Sequence, residues 1–168
     1  MTPDLYWING PWTGRLAISA RPRGGDWLED EIRGLRDADI NVIVSLLEAG
    51  EADELGLTKE KRFAESQDIE FISFPIADRG VPGSLPGFVS LLQRLADMLK
   101  AGENIAVHCR QGLGRSALIS AGLLIGTGVD LDGALQSITS ARGVRVPETD
   151  EQRLWLQQLS LDQPVSAR

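Results

Sequence analysis

The sequence predicts a single α/β domain with a mostly parallel central sheet flanked by helices. Short apolar, β-branched runs alternate with longer segments whose apolar residues recur at helical spacing. Such alternation is typical of a parallel sheet covered by helices. A chain of 168 residues, 42% of them hydrophobic, is long enough for one substantial core. We therefore expect one domain over residues 1–168, ordered from about 5 to 160, with a flexible tail over 161–168.

The first elements are a strand over residues 15–20 and a helix over 26–38. Asp26 is expected to cap this helix, and Glu29 occupies the capping-box position three residues later. The apolar face of the helix consists of Leu28, Ile32 and Leu35. This face should pack on the sheet.

The middle of the chain continues the alternation. We expect a buried strand over 41–47, a short helix over 58–67, a strand over 69–74, a helix over 84–99 and a strand over 104–107. The fourth of these segments repeats apolar residues every three or four positions: Phe88, Leu91, Leu92, Leu95 and Leu99. Its other face, which includes Asp97, should be exposed.

Three helices should close the chain. The segment over 117–125 is apolar nearly all round, which predicts a helix buried on most sides. Asp130 is placed to begin the middle helix, and Thr149, with Gln152 three residues on, is placed to begin the last.

One stretch carries most of the chemistry. The only cysteine, Cys109, follows the only histidine, His108, at the junction between a strand and a helix. Open α/β sheets usually place ligands at the carboxyl ends of their strands. The backbone N–H groups of the loop and of the first helical turn should point at one spot, which favours an anion there. The stretch reads His-Cys-Arg-Gln-Gly-Leu-Gly-Arg-Ser, residues 108–116.

Each residue type in this stretch suits a step in binding or attacking such an anion. Beside Arg115 and a helix N-terminus, the Cys109 thiol should lose its proton easily and become a nucleophile. The planar guanidinium of Arg115 can pair with two phosphate oxygens at once. Ser116 either donates a hydrogen bond to the sulfur or caps the helix, and the two roles are compatible. A lone histidine is more often structural than catalytic, so His108 should support the loop.

These residues form the His-Cys-x5-Arg-Ser signature, and the chain resembles the dual-specificity branch of the cysteine-dependent protein tyrosine phosphatases. The resemblance spans residues 40–160 and implies the fold of that branch. It includes a proline-flanked segment over 75–82, where the family carries an aspartate as general acid, and an arginine-rich turn over 141–152 that leads into the last helix.

The resemblance implies a role for each matching residue. Cys109 is the nucleophile, Asp78 the general acid, and Ser116 assists the leaving sulfur. The phosphate-binding residues are Arg110, Gln111, Gly112, Leu113, Gly114 and Arg115. Gln152 corresponds, by a looser analogy, to a residue that positions water. No metal or organic cofactor is implied.

The resemblance favours hydrolysis of phosphotyrosine, and of phosphoserine and phosphothreonine, in phosphorylated proteins through a cysteinyl-phosphate intermediate. Phosphoinositides or other small phosphate esters are an alternative substrate class. A non-catalytic module that binds phosphoproteins is an alternative of another kind. Sulfur transfer and arsenate reduction also use a loop cysteine, but arsenate reduction usually needs further thiols.

Composition excludes several classes of function. The net charge of −7 argues against general nucleic-acid binding. One cysteine and one histidine cannot supply a zinc shell, and a single cysteine excludes an internal disulfide. The sequence shows no secretory pattern and no apolar run long enough to span a bilayer. We therefore expect a cytoplasmic monomer that acts neither on nucleic acid nor in a membrane.

Charge is distributed unevenly along the chain. Five arginines fall in segments expected near the pocket, where they would attract a phosphorylated ligand: Arg79, Arg110, Arg115, Arg142 and Arg145. The acidic segment over 48–54 is best interpreted as a solvated loop. Its alternative role is a rim element that repels acidic substrates or docks basic ones.

Overall fold

The central sheet contains five strands among the residues that the structure, a computed structural model, describes, which are 3–162. The strands lie in the order β1-β2-β5-β3-β4, and only β1 is antiparallel to its neighbour. They are β1 (Leu5–Ile8), β2 (Leu16–Ser19), β3 (Val42–Ser45), β4 (Glu70–Ser73) and β5 (Ile105–His108). The predicted fold class is confirmed.

Seven α-helices connect or cover these strands within the same described range. They are α1 (Leu28–Asp37), α2 (Ala49–Glu54), α3 (Glu60–Ser66), α4 (Leu85–Lys100), α5 (Arg115–Ile125), α6 (Leu131–Arg142) and α7 (Asp150–Asp162). Four of them, α4 to α7, contribute to the larger apolar cluster on one face of the sheet, and α1 and α3 contribute to the smaller one on the other.

Side-chain alternation along the strands produces these two faces. In β5, Ile105 and Val107 face the larger cluster and Ala106 faces the smaller one. In β3, Val44 faces the larger cluster and Ile43 faces the smaller one. A sheet buried on both faces explains why these strands are apolar without interruption.

Several predicted helix ends are confirmed by their hydrogen bonds. Ser84 precedes α4 and accepts a hydrogen bond from the Gly87 N–H at 3.1 Å. Asp130 caps α6 in the same way, with 2.8 Å to the Gly133 N–H. Thr149 begins α7 through its hydroxyl, which accepts from the backbone of Gln152.

Three details of the chain away from the site differ from the predictions. Asp26 lies in a short 3₁₀ turn, Gly25–Trp27, and α1 begins at Leu28 with no side-chain cap, so the predicted capping box is wrong. The edge strand β1 was not predicted. The last helix α7 runs to Asp162, two positions into the tail predicted over 161–168, and the rest of that range lies outside the described residues.

Phe88 packs at the centre of the larger cluster. It is fully buried, and its ring meets Trp155 of α7 edge to face, with 4.7 Å between ring centroids. This contact joins α4 to the last helix.

We predict that Phe88→Ala lowers the free energy of unfolding by about 3–5 kcal/mol, because it removes a buried ring and leaves a cavity. Urea denaturation followed by circular dichroism would measure the loss. Leu154→Ala, at a position of α7 that is 60% exposed, should change that free energy by less than about 0.5 kcal/mol. Equal effects of the two substitutions would contradict this account of the core.

Candidate active site

The carboxyl ends of the four parallel strands lie on the same side of the sheet, and the loops that follow them form a single site. The segment after β5, residues 109–114, lies at the centre of this side and leads into α5. The segments after β3 and β4 approach from one side, and the segment after β2 approaches from the other. Residues distant in sequence therefore meet around the 109–114 loop.

The 109–114 loop curls around the cysteine sulfur. The Gly112 N–H points at Cys109 Sγ at 3.2 Å, and Gly112 has a φ of 75°. This left-handed conformation favours glycine, and a Cβ there would also lie 3.1 Å from Ile18. A Cβ at Gly114 would come within 2.8 Å of the Gln152 amide. The two glycines thus permit both the curl of the loop and its close packing.

The environment of Cys109 favours the thiolate. Burial raises the pKa of the thiol, but the hydroxyl and N–H of Ser116, the Gly112 N–H and the charge of Arg115 outweigh it, and the pKa falls below its usual value. The Ser116 hydroxyl is buried without a well-formed hydrogen bond to any group in residues 3–162. Its proximity to the sulfur gives this hydroxyl a partner once the thiol is ionised.

Arg115 is a buried cation with several acceptors around it. Its Nη1 and Nη2 donate to the two oxygens of Glu51 at 2.6 and 3.0 Å. Nη1 also donates to the carbonyls of Ile76, at 2.9 Å, and Leu46, at 3.4 Å. Nη2 contacts Asp78 Oδ1 at 3.1 Å. Glu51 thus occupies the edge of the guanidinium that is formed by Nη1 and Nη2. The other edge with two nitrogens is formed by Nε and Nη2.

Glu51 is the principal site residue that the sequence interpretation missed. The segment over 48–54 is not a solvated loop: it contains the short helix α2, and Glu51 reaches back to Arg115. The hydrogen bond from Arg115 lowers the pKa of Glu51, so this carboxylate stays ionised at neutral pH. Its position after the carboxyl end of β3, beside β5, was the available signal.

Asp78 lies at the mouth of a pocket of about 180 Å³ that opens above Cys109. Its side chain is 49% exposed. On the rim, Arg79 pairs with Glu148 at 3.1 Å. The pocket is lined by Asp78, Arg79, Cys109, Arg110, Gln111, Leu113, Gly114, Arg115 and Glu148. The predicted acid, nucleophile and guanidinium therefore share one small cavity.

Two arginines hold the 109–114 loop from outside. Arg21 donates to the Arg110 carbonyl at 2.9 Å. Arg142 donates to the carbonyls of Gly112, at 3.0 Å, and Gln111, at 3.3 Å. With these three carbonyls turned outward, the loop is fixed in a conformation that leaves N–H groups such as that of Gly112 facing inward.

The five arginines expected near the pocket divide into three groups. Arg79, Arg110 and Arg115 line the pocket. Arg142 contacts the back of the loop and does not line that pocket. Arg145 lines a neighbouring hollow that shares Leu113 and Glu148 with the pocket. The positive charge is therefore spread around the loop, with part of it used to hold the backbone.

Gln152 is fully buried behind the loop. Its Oε1 accepts hydrogen bonds from the N–H groups of Glu148 and Thr149, and its Nε2 donates to the Gly80 carbonyl at 3.0 Å. It thus connects the start of α7 to the segment that carries Asp78, and it packs against Gly114.

No group of three or more His, Cys, Asp or Glu side chains suited to a metal ion occurs within residues 3–162. Over the same residues, no helix is both long and apolar enough to cross a bilayer.

Comparison with known proteins shows which family this chain is similar to. The family model described as "Polymorphic toxin system, DSP-PTPase phosphatase" matches residues 18–129, from β2 to just beyond α5. The chain is 35% identical over 125 residues to "Putative tyrosine phosphatase 197R" of invertebrate iridescent virus 6. The matched region covers 71% of this chain and 44% of the viral protein. The chain thus spans less than half the length of the curated relatives it matches.

Solved structures share the fold. Kinase associated phosphatase superposes with a TM-score of 0.86 at 20% identity, covering 100% of this chain and 98% of the other. Tk-PTP in its active form superposes with a TM-score of 0.80 at 27% identity, covering 97% of this chain and all of the other.

We predict that iodoacetamide alkylates Cys109 with a midpoint below the pH of about 8.5 that is typical of a free thiol, because the folded site lowers the thiol pKa. Mass spectrometry of the protein after timed reaction from pH 5 to 9 would give the profile. The same protein in guanidinium chloride is the control, and its midpoint should return to about 8.5. Coincident profiles for folded and unfolded protein would contradict the thiolate assignment.

Proposed function

Because this chain belongs to the DSP-PTPase phosphatase family, we propose that it hydrolyses phosphotyrosine, phosphoserine and phosphothreonine in phosphorylated proteins through a cysteinyl-phosphate intermediate. The observation that carries the proposal is the single pocket in which Cys109, Arg115 and Asp78 meet. A nucleophile, a guanidinium and an acid in that arrangement are what the hydrolysis of a phosphate monoester requires.

In the first step, the Cys109 thiolate attacks phosphorus, so that an S–P bond forms while the P–O bond to the leaving group breaks. Arg115 and the N–H groups of residues 110–114 bind the three equatorial oxygens, with Gly112 and Gly114 allowing the close approach of the backbone. Asp78, in its protonated form, transfers its proton to the departing oxygen. This transfer prevents the accumulation of negative charge on the leaving group.

In the second step, water attacks the phosphorus of the cysteinyl-phosphate. Asp78, now a carboxylate, takes the proton from that water, the S–P bond breaks and phosphate leaves. Ser116 stabilises the returning thiolate through its buried hydroxyl. Gln152 lies against Gly114 and is held to Gly80, so its proposed part in positioning the water is indirect, through the segment that carries Asp78.

Arg115 has to exchange partners for this reaction to occur. Glu51 holds the terminal nitrogens and fixes the plane of the guanidinium. A phosphoryl group would then bind along the edge formed by Nε and Nη2, where Asp78 now contacts Nη2. Binding of the phosphoryl group releases Asp78 toward the leaving-group oxygen.

The size of the pocket supports a broad choice of phosphorylated residue. A volume of about 180 Å³ accommodates a phosphoryl group and the few atoms next to it. Substrate contacts beyond these atoms would fall on Arg79, Arg110 and Glu148 at the rim. We take the chain to act as a monomer without a cofactor, in the cytoplasm, where a reducing environment preserves its single thiol.

We predict that Cys109→Ser reduces hydrolysis of p-nitrophenyl phosphate to background, because a serine hydroxyl at this position is not ionised at neutral pH. Release of nitrophenolate measures turnover, and thermal melting confirms that the variant is folded. Retained turnover in a folded variant would show that Cys109 is not the nucleophile.

We predict that Asp78→Asn lowers kcat on a phosphotyrosine peptide by about 100- to 10,000-fold, the usual contribution of general acid catalysis. The loss should be smaller on p-nitrophenyl phosphate, whose leaving group needs less protonation. Asp97→Asn, on the exposed face of α4, is the matched control and should leave both rates unchanged. An equal loss on both substrates would assign the acid to another residue.

A further inference from the structure

A buried glutamate lies behind the catalytic loop, and no step of the proposed mechanism uses it. Glu60, at the start of α3, is only 3% exposed, and its Oε2 lies 2.6 Å from Nε2 of His108, which is 2% exposed. Taking a carboxylate out of water is costly unless a charged or hydrogen-bonding partner compensates for it. The pair is therefore a defined feature of the site.

The hydrogen bonds of the His108 ring indicate its charge. Nε2 faces the Glu60 carboxylate, and Nδ1 lies 3.3 Å from the backbone carbonyl of Cys109. A carbonyl and an ionised carboxylate can only accept hydrogen bonds. Both ring nitrogens must then donate, and only the imidazolium form carries two N–H groups.

Electrostatics agree with this geometry. Burial lowers the pKa of His108, but the charge and hydrogen bond of Glu60 from α3, and the carbonyl and thiolate of Cys109 from the loop, outweigh it and raise the pKa. Such an interaction is mutual, since a thiolate that stabilises an imidazolium is itself stabilised by that imidazolium. Arg115 of α5 acts on the same sulfur.

We infer that Glu60 is a positioning residue of the active site: its buried carboxylate holds His108 as an imidazolium that donates to the Cys109 carbonyl and favours the thiolate. The inference deepens the proposed function, because it concerns the nucleophile on which that function rests. The competing arrangement has a protonated Glu60 that donates to a neutral ring and adds no positive charge near the sulfur.

The chain suits a direct test, because His108 and Cys109 are its only histidine and its only cysteine. In uniformly ¹⁵N-labelled protein without a tag, NMR of the imidazole nitrogens reports His108 alone, and mass spectrometry after iodoacetamide treatment reports Cys109 alone. We expect both ring nitrogens to be protonated at pH 7 in the wild type. A neutral ring there would overturn the inference without any variant.

Glu60→Gln keeps the size of the side chain and offers an amide N–H that can donate to Nε2 of a neutral ring, but it removes the charge. We expect its ring to be neutral at pH 7, and we expect alkylation of Cys109 below its midpoint to slow tenfold, which corresponds to a rise of about one unit in thiol pKa. Glu65→Gln, an exposed position of α3 that pairs with Lys61, is the matched control and should change neither readout. An unchanged alkylation profile in folded Glu60→Gln would also overturn the inference.

Neither readout requires turnover. An imidazolium and a shifted alkylation profile in a protein that hydrolyses no phosphate ester would contradict the proposed function and leave the role of Glu60 standing. Normal hydrolysis by a protein whose His108 ring is neutral would contradict the role of Glu60 and leave the proposed function standing.

Discussion

A guanidinium can be buried only where hydrogen-bond acceptors surround it. Arg115 is only 2% exposed, so the segments around the carboxyl ends of the strands have to supply those acceptors. Its acceptors come from the segments after β3 and β4, in the form of Glu51, Asp78 and two backbone carbonyls. The parallel order of the strands brings those segments together beside α5, which starts at Arg115 itself. Burial of one side chain thus connects the sheet topology to the position of the candidate acid.

The 109–114 loop is held on both of its sides. Arg21 and Arg142 bind its carbonyls from outside, and Arg142 also stacks on Tyr6 of β1, with 4.0 Å from its guanidinium carbon to the ring centroid. From behind, the His108 ring contacts the Cys109 carbonyl. The loop therefore depends on the edge strand β1 as well as on the central strand β5, although β1 contributes no residue to the lining of the pocket.

Local pattern was sufficient for much of the structure. The periodicity over 84–99, the apolar segment over 117–125 and the cap at Asp130 each depend on residues close in sequence, and each was predictable. The edge strand β1 is four residues long and α2 contains Gly50, so neither gives a strong signal. The contacts of Glu51 with Arg115 and of Glu60 with His108 join residues far apart in the chain, which no local pattern encodes.

The two carboxylates on Arg115 have a consequence for how an anion enters the site. A phosphate that binds there exchanges for Asp78 at Nη2, and the pair with Glu51 is kept. The free energy of anion binding is then reduced by the contact with Asp78 that is lost, as in an ion exchanger. By this exchange, an anion bound at Nη2 is held less tightly than it would be by a guanidinium with no second carboxylate beside it.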